Sequence, residues 1–172
     1  MGSSGHTGVD VDGSENAPCR PRSTLRVDDG EDTRTSERDD STGVGALKGV
    51  TVLLVEDDPL TLEALELILT HHGARVLCAA TAEEALDLYD VGELSILISD
   101  IGLPGVDGCT LLRVIRTRET GGQHIPAIAL SGYPSRETGP LARRAGFDAF
   151  LSKPVPPPVL LQTIDQVAPR RR

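Results

Sequence analysis

Apolar and polar residues alternate with two different periods along most of this chain, behind a polar leading stretch. "VTVLLV" (50–55) is a continuous apolar run rich in valine, the pattern of a strand covered on both faces. Asp58 and Pro59 follow as a helix N-cap and a first-turn proline. Leu62, Leu65 and Leu69 line one face of the helix they open, which should stop near Gly73. "RVLCAA" reads as a short second strand. "TAEEALDLY" opens with Thr81 and Glu84 at capping-box spacing, and Ala82, Ala85, Leu86 and Tyr89 recur at the helical period. "LSILISD" (94–100) is a third buried strand, "IGLPGVDG" a loop by its Gly and Pro content, and a helix through Leu111, Leu112 and Ile115 ends by "TGG". "PAIALSG" and "DAFLSKP" are the fourth and fifth strands. Between them "PSRETGPLARRAG" is a weak helix, with Gly139 and Pro140 inside it. The last helix uses Leu160, Ile164 and Val167 after the stiff entry "PVPPP". This alternation predicts one α/β domain over residues 48–168, built on a doubly wound five-stranded parallel sheet.

Residues 1–47 do not share the pattern. They are rich in Gly, Ser, Thr, Asp and Arg and carry Asp10, Asp12, Glu15, Asp28, Asp29, Glu31, Asp32, Glu37, Asp39 and Asp40. Such a stretch cannot bury enough apolar surface to offset its ordering entropy, so an acidic disordered tail is expected. The end, 169–172, is a basic "PRRR" expected to be solvated. Aromatic residues are only 2% of the chain, so a core must come from Leu, Ile, Val and Ala. The net charge of −9 argues against direct binding of nucleic acid or of an anionic membrane surface. Cys19, Cys78 and Cys109 include no CxxC pair, which points to reduced thiols in a cytoplasm rather than a disulfide frame or a zinc site. No apolar run reaches membrane-spanning length, and no secretion signal opens the chain.

In open parallel sheets functional groups gather beyond the carboxyl ends of the strands. Here the first strand offers Glu56 and Asp57, the third Asp100, the fourth Ser131 and the fifth Lys153. Crowded carboxylates repel and are costly to bury ionised, so either they sit in water as a solvated turn or a cation belongs among them. Hard oxygen ligands suit magnesium. A carboxylate can accept a phosphoryl group, the metal and Lys153 would offset its charge, and Ser131 could donate a hydrogen bond. Each residue also has a plainer reading. Asp58 is a helix cap, Lys153 alone a surface charge, Ser131 a turn residue, and His71 and His72 cations at a helix end.

The motifs "LLVEDDP", "ISDIGLPGVDG", "IALSG" and "FLSKP" together make residues 49–168 resemble a response-regulator receiver domain. The resemblance implies a flavodoxin-like sheet of order 2-1-3-4-5. It implies phosphoryl transfer to Asp100 from a phosphohistidine on a histidine kinase or histidine phosphotransfer protein. It implies Mg2+ held by Glu56, Asp57, Asp100 and the backbone carbonyl of Gly102. Ser131 and Lys153 would read and stabilise the phosphoryl group, and the Lys153–Pro154 bond is one that is often cis in this family. Phe150 stands at the position of a switching aromatic, without the hydroxyl of the more usual tyrosine. Gly102 brings no side chain that could orient or block a hydrolytic water.

The reading that follows is a phosphoacceptor switch, not a turnover enzyme, that assists its own phosphoryl transfer and hydrolysis. On the length given, no output domain is expected beside it. Output is therefore expected through an unknown partner on the face of the fourth helix, fifth strand and fifth helix, with a phosphorylation-dependent dimer left open. A relay or sink receiver of a hybrid-kinase phosphorelay is an alternative. A small aspartate-nucleophile phosphatase is another, but it would want a DxD pair after the first strand, where this chain has Glu56-Asp57-Asp58. A dinucleotide binder lacks its GxGxxG there.

Overall fold

The computed structural model describes residues 43–168 apart from 44, 92, 121–123, 134, 135 and 137; most of the tail expected over 1–47 (1–42 and 44) and the basic end at 169–172 lie outside the described residues. Five strands, β1 (Thr51–Val55), β2 (Arg75–Ala79), β3 (Ile96–Asp100), β4 (Ala127–Ser131) and β5 (Ala149–Ser152), alternate with five helices. These are α1 (Pro59–His71), α2 (Ala82–Val91), α3 (Gly108–Arg118), α4 (Thr138–Ala145) and α5 (Pro157–Val167). All strand pairs are parallel, in the order β2-β1-β3-β4-β5. The chain winds outward from β1 both ways, so the carboxyl ends of β1, β3, β4 and β5 meet along one edge of the sheet.

The continuous apolar runs are explained by a core on each face. Leu53, Val55 and Leu97 point toward α2, α3 and α4, where Ala85, Leu111, Leu112, Ile115 and Ala142 cover them. Val52, Leu54, Ile96 and Ile98 point the other way, under Leu65 and Leu69 of α1 and Leu160 and Ile164 of α5. Successive residues of a strand face opposite sides, so a strand buried twice must be apolar at every position. The outer strands β2 and β5 are covered less.

Local signals act as expected. The Thr61 N–H and hydroxyl both donate to Asp58 Oδ2, at 2.8 and 2.6 Å, capping α1. The helix ends in a Schellman motif: Gly73, at φ +93°, donates to Thr70 O, and Ala74 donates to Leu69 O. At α2, Glu84 N–H donates to Thr81 Oγ1 at 3.2 Å, but the Glu84 carboxylate reaches back to the Ala80 N–H at 2.8 Å, one residue beyond the usual reciprocal partner. The weak segment after β4 does form a helix. Gly139 and Pro140 fall in its first turn, where a missing N–H costs nothing.

Leu47, grouped with the polar stretch by composition, is only 5% exposed and packs with Val52, Leu65 and Leu69; its N–H donates to His72 O at 2.8 Å. A single leucine between Gly45 and Gly49 carries no periodic signal. Leu112 is fully buried between α3 and the sheet. Leu112→Ala is expected to cost about 2–5 kcal/mol of unfolding free energy, read as a lower urea midpoint with an unchanged slope.

Candidate functional site

Each strand on the active edge delivers one group. Glu56 follows β1 directly, Asp100 is the last residue of β3, Ser131 the last of β4, and Lys153 follows β5. Lys153 precedes Pro154 through a cis peptide bond. Its backbone N–H donates to Ser131 O at 2.8 Å, which ties the β5 end to β4.

The structure brings Glu56, Asp57, Asp100 and Lys153 together. Lys153 Nζ donates to Asp100 Oδ2 at 2.6 Å and to Glu56 Oε1 at 2.7 Å. One ligand oxygen from each of Glu56, Asp57 and Asp100 lies within 4.8 Å of the others. Glu56 is 1% exposed and Asp100 7%, while Asp57 is open to solvent. Asp100 Oδ1 accepts the Gly102 N–H at 2.8 Å, which curls the β3–α3 loop back over the carboxylate.

Ser131 is buried at the end of β4, and its Oγ accepts the Tyr133 N–H at 3.2 Å. Phe150 lies half-buried in β5, against the α2–α4 side of the core. Sequence reasoning overlooked Ser99, whose hydroxyl donates to the Asp100 carbonyl at 2.9 Å within the buried face of β3. It also left Gly108 in the loop, whereas Gly108 is the first residue of α3. A polar residue just before the aspartate in an apolar strand was the signal for Ser99. Gly108 gave none, because glycine in "GVDG" is ordinary loop composition.

One ammonium shared by two buried carboxylates does not neutralise the cluster. Burial raises the Glu56 pKa above the ordinary glutamate range; the hydrogen bond and charge of Lys153 offset this only in part, and the Asp100 charge adds to it. Burial alone would lower the Lys153 pKa, but its hydrogen bonds to Asp100 and Glu56 outweigh that and raise it, so the ammonium stays charged. Glu56 Oε2 is ion-paired with Lys153 Nζ at 2.6 Å but makes no hydrogen bond of its own, and it is buried. Three carboxylates gathered around one lysine, two of them buried, fit a small divalent cation held by oxygen ligands.

The sequence model of the response regulator receiver domain matches residues 52–165. The chain is 38% identical over 120 residues to an uncharacterized 14.6 kDa protein of Leptolyngbya boryana, covering 70% of this chain and 91% of that one. It is 36% identical over 113 residues to the response regulator protein FleR of Pseudomonas aeruginosa, covering 66% of this chain but only 23% of FleR. Among solved structures it resembles the receiver domain of the sensor histidine kinase PA1611 of Pseudomonas aeruginosa PAO1, with a TM-score of 0.63 and 28% identity over 69% of this chain and 97% of that one. That structure has a magnesium ion coordinated in its active site cleft. No described helix of the present chain is long and apolar enough to cross a membrane.

The raised Glu56 pKa has a pH consequence with a definite sign. Above the ordinary glutamate pKa the native domain still holds a proton that the unfolded chain has released, so stability falls as pH rises through that window. In metal-free buffer, urea unfolding from roughly pH 4.5 upward should show that decline in the wild type and a flatter profile in Glu56→Gln.

Proposed function

This chain belongs to the response regulator receiver domain family, and on that premise we propose that Asp100 is the phosphoacceptor of a two-component signalling switch. The observation that carries the reading is the double contact of Lys153 with Asp100 and Glu56, at 2.6 and 2.7 Å. It makes Asp100 a buried carboxylate anchored to a cation, at the meeting point of three strand ends.

Glu56, Asp57, Asp100 and the Gly102 backbone carbonyl would hold magnesium, which supplies charge neutralisation between the carboxylates and the phosphoryl oxygens. The chain's own residues do the rest. The Gly102 N–H holds Asp100 Oδ1, and Lys153 holds Oδ2, so the carboxylate is oriented before a donor arrives. An Asp100 oxygen attacks phosphorus in line with the bond to the donor imidazole nitrogen. That bond breaks, and its electron pair leaves with the imidazole, which then takes a proton. Lys153 stays with the new acyl phosphate as a counter-ion. The Ser131 hydroxyl, whose Oγ accepts the Tyr133 N–H, turns its O–H to donate to a phosphoryl oxygen, and Phe150, already half-buried, repacks. A two-state shift of this kind needs only a few kcal/mol of differential contact. The product is a switched surface rather than a released compound, so the chain acts as a phosphoacceptor and not as a turnover enzyme.

The donor would be a histidine kinase or a histidine phosphotransfer protein, and a cytoplasmic site of action fits that donor. Likeness to a receiver carried by a sensor kinase supports a second reading, a relay receiver that passes the phosphoryl group on. Reversible transfer to a histidine phosphotransfer protein separates relay from terminal switch.

Incubation with acetyl phosphate and magnesium, read by intact mass, should add one phosphoryl group to the wild type. None should be added without magnesium, and none to Asp100→Asn. Equal labelling of Asp100→Asn would sink the assignment.

A further inference from the structure

The contact between the first residue of α3 and the peptide carbonyl of Asp100 is closer than any side chain could allow. A Cβ at Gly108 would stand 2.1 Å from the Asp100 carbonyl oxygen, 3.0 Å from its carbonyl carbon and 3.0 Å from Ser99 Oγ. The first two are backbone atoms of a central strand and cannot move aside cheaply. Asp100 is paired in register with Leu130, and the Ile101 N–H donates to Leu130 O at 2.9 Å. Gly108 has no left-handed backbone that would itself demand glycine. The need is for space alone. By contrast, a Cβ at Gly102 would meet Asp100 Oδ1 at 3.5 Å, an ordinary contact.

Two hydrogen bonds run through the same junction. Gly108 N–H donates to Ile101 O at 3.1 Å, closing the loop of residues 101–107 on itself. Ser99 Oγ donates to the Asp100 carbonyl at 2.9 Å. Between these two anchors lies Gly102, whose N–H holds Asp100 Oδ1 at 2.8 Å. The farther part of the loop is held down by Leu103, 6% exposed in the core under α3. Where the Gly102 backbone stands relative to the Asp100 carboxylate is therefore set from behind, by how closely α3 seats on the end of β3.

We propose that Gly108, with Ser99 beside it, is a positioning residue for the cation site: the seating of α3 on the Asp100 carbonyl fixes the Gly102 backbone at the distance the site needs. This rests on the phosphoacceptor reading of Asp100. Neither residue touches a cation or a phosphoryl group; both act through the Asp100–Gly102 segment.

Gly108→Ala must push α3 away from β3 and stretch the Gly108–Ile101 closure. Ser99→Ala removes one of the two anchors without crowding and keeps the fold safe. Ile115→Val loosens the same helix farther along, away from the strand end, and serves as the stability control. The full chain is titrated with magnesium alone by calorimetry, and the Gly102 amide is followed by NMR in metal-free buffer. The magnesium Kd should rise roughly 10- to 100-fold in Gly108→Ala, the range found for supporting contacts of metal sites. It should rise in the same direction but less in Ser99→Ala, and stay at the wild-type value in Ile115→Val. The Gly102 amide signal should move in the first two variants only.

Wild-type Kd and an unmoved Gly102 amide in folded Gly108→Ala would overturn the proposal. So would the same result in Ser99→Ala, should Gly108→Ala not fold, or an equal loss in Ile115→Val. Failure of the underlying reading looks different: the wild type itself would bind no magnesium and gain no phosphoryl group.

Discussion

Lys153 is the residue on which the site depends, because its ammonium is the cation that two buried carboxylates share. Without it Glu56 and Asp100 would be like charges held out of water, and burial disfavours the ionised form of each. Its two short contacts join the ends of β1, β3 and β5, elements far apart in the chain. The rest of the fold serves to bring those ends together. The parallel order with β1 and β3 at its centre does so, and the two apolar cores keep the strands in register. The compensation is incomplete: one ammonium faces the three carboxyl groups of Glu56, Asp57 and Asp100. That residual negative charge suits a divalent cation held by oxygen ligands.

The Asp100 carboxylate is held on both oxygens, by Lys153 on one side and by the Gly102 N–H on the other. Such an arrangement orients a nucleophile at little entropic cost at the moment of reaction. It also links chemistry to conformation. Ser131 and Lys153 are joined through their backbones, and Phe150 lies in the same strand that ends at Lys153. On the proposed reading, a change in what Lys153 and Ser131 bind would be passed to β5, and to the core under α4 into which Phe150 packs.

A second network holds the opposite end of the sheet and takes no part in this chemistry. Arg116 of α3 pairs with Glu119 and donates to Ile125 O and Gly146 O, each at 2.8 Å, and Asp148 Oδ2 accepts the Ala127 N–H. This network ties the starts of β4 and β5 to the end of α3.

Element type and order were legible in the sequence because strands buried on both faces must be continuously apolar, and because caps such as Asp58-Pro59 and Gly73 act locally. The strand-end residues Glu56, Asp57, Asp100, Ser131 and Lys153 were legible for the same reason: a charged or polar residue closing an apolar run stands out. Leu47 and Gly108 were not. A lone leucine among glycines, and a glycine in a glycine-rich loop, acquire their roles only from what packs against them. The amino-acid sequence by itself determined which groups stand at the strand ends. Only the tertiary structure decided that Lys153 spans Glu56 and Asp100, that Glu56 is buried while Asp57 is exposed, and that α3 seats directly on the Asp100 carbonyl. Those are distances between residues separated in the chain, and no local pattern encodes them.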